Sequence, residues 1–409
     1  MTDILLTNAN VLDPVAGQIL GTRYIAIEGG RITGVGEGRA NISADRTIDL
    51  RGLTLMPGLC DAHVHVTAAT ANFAQLKRWS PFYVSPHASN ILAGMLSRGF
   101  TTVRDAGGAD WGLAKAVAEG TVDGPRLLFC GHALSQTGGH GDMRGPGEQE
   151  LDECFCCAGL GMVCDGVAEV RRACREEIRR GATHIKLMVS GGVASPTDRI
   201  TSTQFAEDEI RAAVEEADAA QIPVMAHAYT ARAVNRALAC GVTSIEHGNL
   251  IDETSVDAFK THGGWLVPTL SVYDALAHEG VEAGMPAELN RKVFDVRDQG
   301  LKAVELAYQG GVPMAYGTDL LGQMHRHQLN EFKLRSEVVP AADLVRAATS
   351  NAGALFNLSD RIGQIAEGYE ADLIAVDGNP LEDLDVLVDS ARHLKMVMKA
   401  GMVARDHLA

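Results

Sequence analysis

The sequence predicts an α/β chain: a closed barrel of eight parallel strands with helices around it, carrying a small β unit built from both termini. Three observations predict this. Eight short apolar runs alternate with stretches of helical period through the middle of the chain, strand-like runs occupy both ends, and polar residues stand at the carboxyl ends of the inner runs. The 409 residues exceed one ordinary domain and suit a barrel of roughly 250–300 residues with a smaller attached unit.

Residues 1–56 form the first part of the small unit. Ile4-Leu5-Leu6, Tyr24-Ile25-Ala26-Ile27 and Arg31-Ile32-Thr33-Gly34-Val35 are brief apolar or alternating runs, and Glu28-Gly29-Gly30 reads as a hairpin turn. Residues 356–409 supply its second part, with strand-like Ala371–Val376 and Leu394–Met398. A composite β-sandwich needs no long linker if the termini meet.

Residues 57–355 form the barrel. Its eight runs are Leu55–Val66, Phe100–Arg104, Arg126–Cys130, His184–Val189, Pro223–Ala226, Val242–Ile245, Trp265–Val267 and Val312–Ala315. Between them, Gly166–Arg180, Asp208–Ala220 and Ala231–Ala239 repeat apolar residues three and four apart. Such alternation implies a parallel sheet, and eight buried strands imply a (β/α)8 barrel of TIM-like form. An open doubly wound sheet is the alternative. Pro81–His87 and Met143–Cys164 read as long loops able to wall a pocket.

Composition narrows the partners. With 46% hydrophobic and 22% charged residues the chain is globular, and a net charge of −16 excludes nucleic acid or an anionic membrane as the expected partner. No apolar run approaches the ~18–20 residues of a membrane span, and the N-terminus lacks a basic region and cleavage site, so the expected location is cytoplasmic. The 8 cysteines are then reduced thiols. Cys154, Cys156 and Cys157, with Cys164 nearby, form one cluster without a partner pair at zinc-finger spacing, so a thiol-bearing loop is preferred over a structural zinc.

The polar residues carry the chemistry. His63-Val64-His65 places two imidazoles on one face of a strand. The spacing alone is weak, since the chain has 14 histidines and a second such pair at His325-Arg326-His327. Lys186 sits inside an apolar strand, where an unpaired ammonium is costly. His227, with Tyr229 two residues on, follows the fifth run; His247 follows the sixth and Asp319 the eighth. Singly, each is better read as a satisfied core residue or a helix cap. Together they mark the carboxyl ends of barrel strands, where barrel active sites are built. Arg104 and Asp105 read as a structural ion pair, and His325 and His327 as a solvated loop with substrate contact as the second reading.

In this order the residues resemble the amidohydrolase superfamily of metal-dependent hydrolases. Leu55-Met56-Pro57-Gly58-Leu59, Thr349-Ser350-Asn351-Ala352 and Gly368-Tyr369-Glu370-Ala371-Asp372-Leu373 resemble it too. Ser135-Gln136-Thr137-Gly138-Gly139-His140-Gly141-Asp142 and the stretch Val189-Ser190-Gly191-Gly192 to Asp198 are similar to bacterial prolidase-like (Xaa-amino-acid) dipeptidases related to imidazolonepropionase, and to ochratoxin-degrading amidohydrolases.

The resemblance implies a binuclear centre. His63, His65 and Asp319 would hold one divalent metal, His227 and His247 a second, and Lys186, carboxylated by CO2, would bridge them as an anion. The donors suit Zn²⁺, with Mn²⁺ or Co²⁺ also possible. A bridging hydroxide would attack an amide carbonyl while Asp319 passes the proton to the departing amine. His140 and Tyr229 would contact the oxyanion or a substrate carboxylate. The implied substrate is a small molecule, a dipeptide or N-acyl amino acid, with a homo-oligomer possible. Ring opening of a cyclic amide and deamination are the alternatives, although the mononuclear deaminases lack the lysine. A non-catalytic scaffold, which would have lost ligands, is the remote one.

Overall fold

The computed structural model describes residues 2–38, 40–149 and 159–408. Both ends of the chain enter one eight-stranded sheet, in which Thr54–Pro57 pairs parallel with Thr2–Asp13 and antiparallel with Leu373–Val376. The two terminal segments thus share one hydrogen-bonded sheet. The reason is the length of the first strand, which pairs with Ala44–Asp49 near its start and with Thr54–Pro57 near its end. Leu6, Val11, Ile25, Leu55, Leu373 and Met396 bury one face of this sheet in a core of its own. The predicted hairpin joins Gln18–Glu28 to Arg31–Glu37 through Gly29 (φ 57) and Gly30 (φ 77), the left-handed pair that two-residue hairpin turns require.

The apolar run predicted as one strand over Leu55–Val66 divides at Gly58. Thr54–Pro57 belongs to the terminal sheet, and Leu59–Val64 starts a parallel sheet with Phe100–Asp105 and Arg126–Phe129. The chain changes sheets where it has no side chain to clear: a Cβ on Gly58 would lie 2.2 Å from Thr101 Oγ1. Gly58→Ala is expected to lower unfolding stability by ~1–3 kcal/mol, the usual cost of overpacking. An unchanged urea midpoint would show that Thr101 can give way.

The remaining parallel strands, Gly161–Val163, Ala133–Ser135, Ile185–Met188, Val224–Thr230, Ser244–Leu250 and Trp265–Val267, form a six-stranded sheet in that order. The two parallel sheets are linked on both sides. Thr183 N–H donates to the Phe129 carbonyl at 2.8 Å, and Ala62 N–H donates to the Tyr316 carbonyl at 2.7 Å. The last predicted run, Val312–Ala315, contributes an isolated parallel bridge from Met314 to Leu266. The chain is therefore parallel α/β through its middle.

Helices follow the strands where the periodicity places them, at Gly166–Arg179, Glu207–Ala219 and Ala231–Ala239. Pro81–His87, expected as loop, is the start of the helix Pro81–Ser97, with Ser80 capping the Phe82 N–H at 3.3 Å, and the strand Gly161–Val163 lies within the expected loop Met143–Cys164. Phe82 and Tyr83 face solvent, at 90% and 53% exposure, so the apolar stripe that marks a helix is missing there. Cys154, Cys156 and Cys157 lie outside the described residues, while Cys164 is a buried free thiol that burial pushes up to about 12. Among the described residues, no helix is long and apolar enough to cross a membrane.

Candidate metal centre

His63 lies near the end of its strand and His65 just beyond it, and their Nε2 atoms both stand 3.3 Å from one oxygen of Asp319. The ligand atoms of these three residues fall within 4.8 Å of one another. The backbone joins them as well, since Asp319 N–H donates to the His63 carbonyl at 2.8 Å. Burial alone would raise the Asp319 carboxyl, but His63 and His65 hold it well below the ordinary carboxylate range.

His227 and His247, on neighbouring strands, place their rings 4.7 Å apart, and His247 lies 4.9 Å from His63. Lys186 lines the same cavity, of about 220 Å³, with its ammonium nitrogen buried and without a hydrogen-bond partner. Burial lowers its pKa to about 8, against the pull of Glu246 and Asp319. His247 (φ 75) and Asp319 (φ 57) have left-handed backbones. For residues other than glycine this costs about 1–3 kcal/mol and tends to collect at functional sites.

Each of the four histidines keeps one nitrogen for an outer partner. His63 Nδ1 lies 2.8 Å from the Glu246 carboxylate, and His65 Nδ1–H donates to the Gly107 carbonyl at 3.0 Å. His227 Nε2–H donates to the Gly191 carbonyl at 3.1 Å, and His247 Nδ1 lies 2.7 Å from Thr269 Oγ1. The second nitrogen of His63 and of His65 stands beside Asp319, and that of His227 and of His247 is not used by these outer partners. Metal-ligating histidines are held in this way, one nitrogen anchored and the other a lone-pair donor. Burial keeps His227 and His247 well below the ordinary imidazole range, hence neutral and able to ligate. The unpartnered Lys186 nitrogen opens on the same cavity, and His63, His65 and Asp319 are close enough together to hold a divalent ion.

His140 and Tyr229 line the same cavity. The His140 ring stacks on His227 at 4.2 Å, and burial lowers its pKa to about 4. Tyr229 packs edge-on to His227 at 4.7 Å and accepts a hydrogen bond from Tyr273 at 3.0 Å. Tyr273 went unnoticed in the sequence, where no strand-end pattern marks it.

Two sequence expectations are corrected. Arg104 does not pair with Asp105: its guanidinium meets Glu246 at 3.0 Å, fully buried, while Asp105 accepts backbone N–H groups of Val66, Gly107 and Ala109. Successive strand residues point to opposite faces, so neighbours in sequence could not pair this way. Although burial opposes it, Arg104 holds the Glu246 carboxyl at about 2, leaving an anion to orient His63. An acid inside an apolar strand was the signal for Glu246, the same signal that marks Lys186. His325 is buried rather than solvated, with neither ring nitrogen hydrogen-bonded and its pKa lowered by burial to about 3. It faces a second cavity, beside Arg98 and His87. His327 pairs with Glu279 at 2.7 Å away from the metal ligands.

A family model described as the amidohydrolase family matches residues 54–404. The ochratoxinase of Aspergillus niger is 34% identical over 345 residues, 81% of this chain and 72% of its own. Among solved structures, a prolidase complexed with N-methylphosphonate-L-proline is 48% identical with a TM-score of 0.96, covering 98% of this chain and 99% of its own. A Xaa-Pro dipeptidase with bound methionine is 30% identical with a TM-score of 0.88, over 98% of this chain and 99% of its own.

Proposed function

The chain belongs to the amidohydrolase family, hydrolases that act on amide bonds, and on that premise we propose a binuclear metallohydrolase that cleaves a dipeptide or N-acyl amino acid. The observation that carries this reading is the set of four anchored histidines whose second nitrogens share one cavity with Asp319 and the unpartnered Lys186. In this reading the catalytic unit is residues 57–355, a (β/α)8 barrel, with 1–56 and 356–409 as the attached unit; the Phe129–Thr183 and Ala62–Tyr316 backbone links between the parallel segments support it.

His63, His65 and Asp319 would hold one ion, His227 and His247 the other, and carboxylated Lys186 both. When bound, two such ions, Zn²⁺ by the donor chemistry, supply carbonyl polarisation and a water pKa lowered from 15.7 toward about 7. The Asp319 carboxylate, which lies beside the His63 and His65 Nε2 atoms, takes the proton released by the attacking water and returns it to the departing amine nitrogen. Tyr229 and His140 contact the substrate carboxylate and the developing oxyanion. Val272, Tyr273, Leu276 and Leu321 form an apolar wall that excludes water and suits an apolar side chain.

The test is a screen of the zinc-loaded protein against dipeptides and N-acyl amino acids, with ochratoxin A and a hydantoin included. Hydrolysis of amides bearing a free carboxylate on the amine side is expected. Turnover of the hydantoin alone would overturn the substrate class and favour a cyclic amide hydrolase.

A further inference from the structure

The Ser-Gly-Gly stretch from Ser190 and the residues that follow it are not accounted for by the metal ligands. We infer that Ser195, Asp198 and Lys292 are positioning residues that hold the His140 imidazole in one tautomer and one orientation over the reaction cavity. The inference rests on His140 acting on the substrate, as proposed above.

His140 Nδ1 lies 2.8 Å from Ser195 Oγ, and the Ser195 hydroxyl donates to the Asp198 carboxylate. A serine has one proton to give. With that proton committed to Asp198, Ser195 Oγ accepts from His140, which places the ring proton on Nδ1 and leaves Nε2 for the cavity. Asp198 also accepts from Gly192 N–H at 3.2 Å and Gln204 Nε2 at 2.9 Å, and Gln204 in turn accepts the His140 backbone N–H at 2.8 Å. Ring and backbone of His140 are therefore tied to the same carboxylate.

Lys292, from the helix Ala287–Gln309, closes the network. Its ammonium donates to the carbonyls of Gly192, Ser195 and Asp198 at 3.2, 2.9 and 2.9 Å, and stands 3.6 Å from the Asp198 carboxylate. Gly192 forms the mould: a Cβ there would lie 2.1 Å from His140 Cε1. Gly191 is equally tight, with a Cβ falling 1.9 Å from the Arg199 carbonyl oxygen. The glycines thus let the loop press against the ring, and Lys292 pins the loop.

The kinetic arm compares Ser195→Ala, Asp198→Asn and Lys292→Met with wild type in metal-loaded protein of verified metal content. Each is expected to lower kcat by ~10- to 100-fold with KM little changed, as for other orienting partners. Lys292→Arg is expected to recover most of the loss. In a His140→Ala background, Ser195→Ala should cost nothing further, because the group it positions is gone. The second arm reads the His140 tautomer by NMR in metal-free, ¹⁵N-histidine-labelled protein: Nδ1–H in wild type, and a mixture or Nε2–H in Ser195→Ala. It needs no substrate, so a wrong reaction assignment alters the kinetic arm alone. An Nε2–H tautomer in wild type, or equal losses from Ser195→Ala in both backgrounds, would overturn the inference.

Discussion

Lys186→Ala is expected to release the metal pair from a protein that remains folded. The lysine nitrogen is buried and has no hydrogen-bond partner, so its removal orphans no acceptor. Glu246 keeps Arg104 as its counter-ion at 3.0 Å, so its buried charge stays compensated. Any loss of metal then reports on the bridge and not on the fold. Since even outer partners of a metal ligand change activity by ~10–100-fold, a direct ligand should cost at least ~10²-fold in turnover. The lowered pKa of about 8, caused by burial, makes the neutral amine that CO2 requires available near neutral pH. A short carboxylic acid should enter the vacated space and restore part of both metal content and turnover. Elemental analysis decides the matter: a full pair of ions per chain without added acid would remove Lys186 from the ligand set.

Asp319→Asn is expected to leave metal content largely intact and to lower turnover by at least ~10²-fold, the low end for lost acid–base catalysis. The substitution isolates chemistry from structure. Asp319 has a left-handed backbone at φ 57, a conformation asparagine tolerates at least as well as aspartate, so no new strain arises. The amide retains an oxygen where the carboxylate stands 3.3 Å from His63 and His65, but it has no site for the transferred proton. Near-normal kcat with unchanged metal content would sink the proton-transfer role, while loss of metal would make Asp319 chiefly a ligand.

Much of the α/β architecture was legible because its signals are local. A strand's period of two sets the face on which His63 and His65 stand, and a 3.6-residue period marks a helix such as Ala231–Ala239, whose bounds agree with the sequence. Where the local signal was misleading, so was the expectation. Leu55–Val66 reads as one strand although Gly58 divides it between two sheets, and the helix starting at Pro81 shows solvent its largest apolar side chains.

By itself, the sequence determined which residues could bring chemistry to strand ends: two paired histidines, a lysine in an apolar strand, two later histidines and an aspartate. Only the tertiary structure decided how they meet. Which imidazole nitrogen is free depends on Glu246, Gly107, Gly191 and Thr269, and the His63 and His65 anchors come from 183 and 42 residues away. The burial of His325, the Arg104–Glu246 pair and the Ser195–Asp198 support of His140 are likewise products of packing. Side-chain direction along a strand follows from backbone geometry within a few residues, whereas a hydrogen bond between distant segments exists only after the sheets and helices have closed around it.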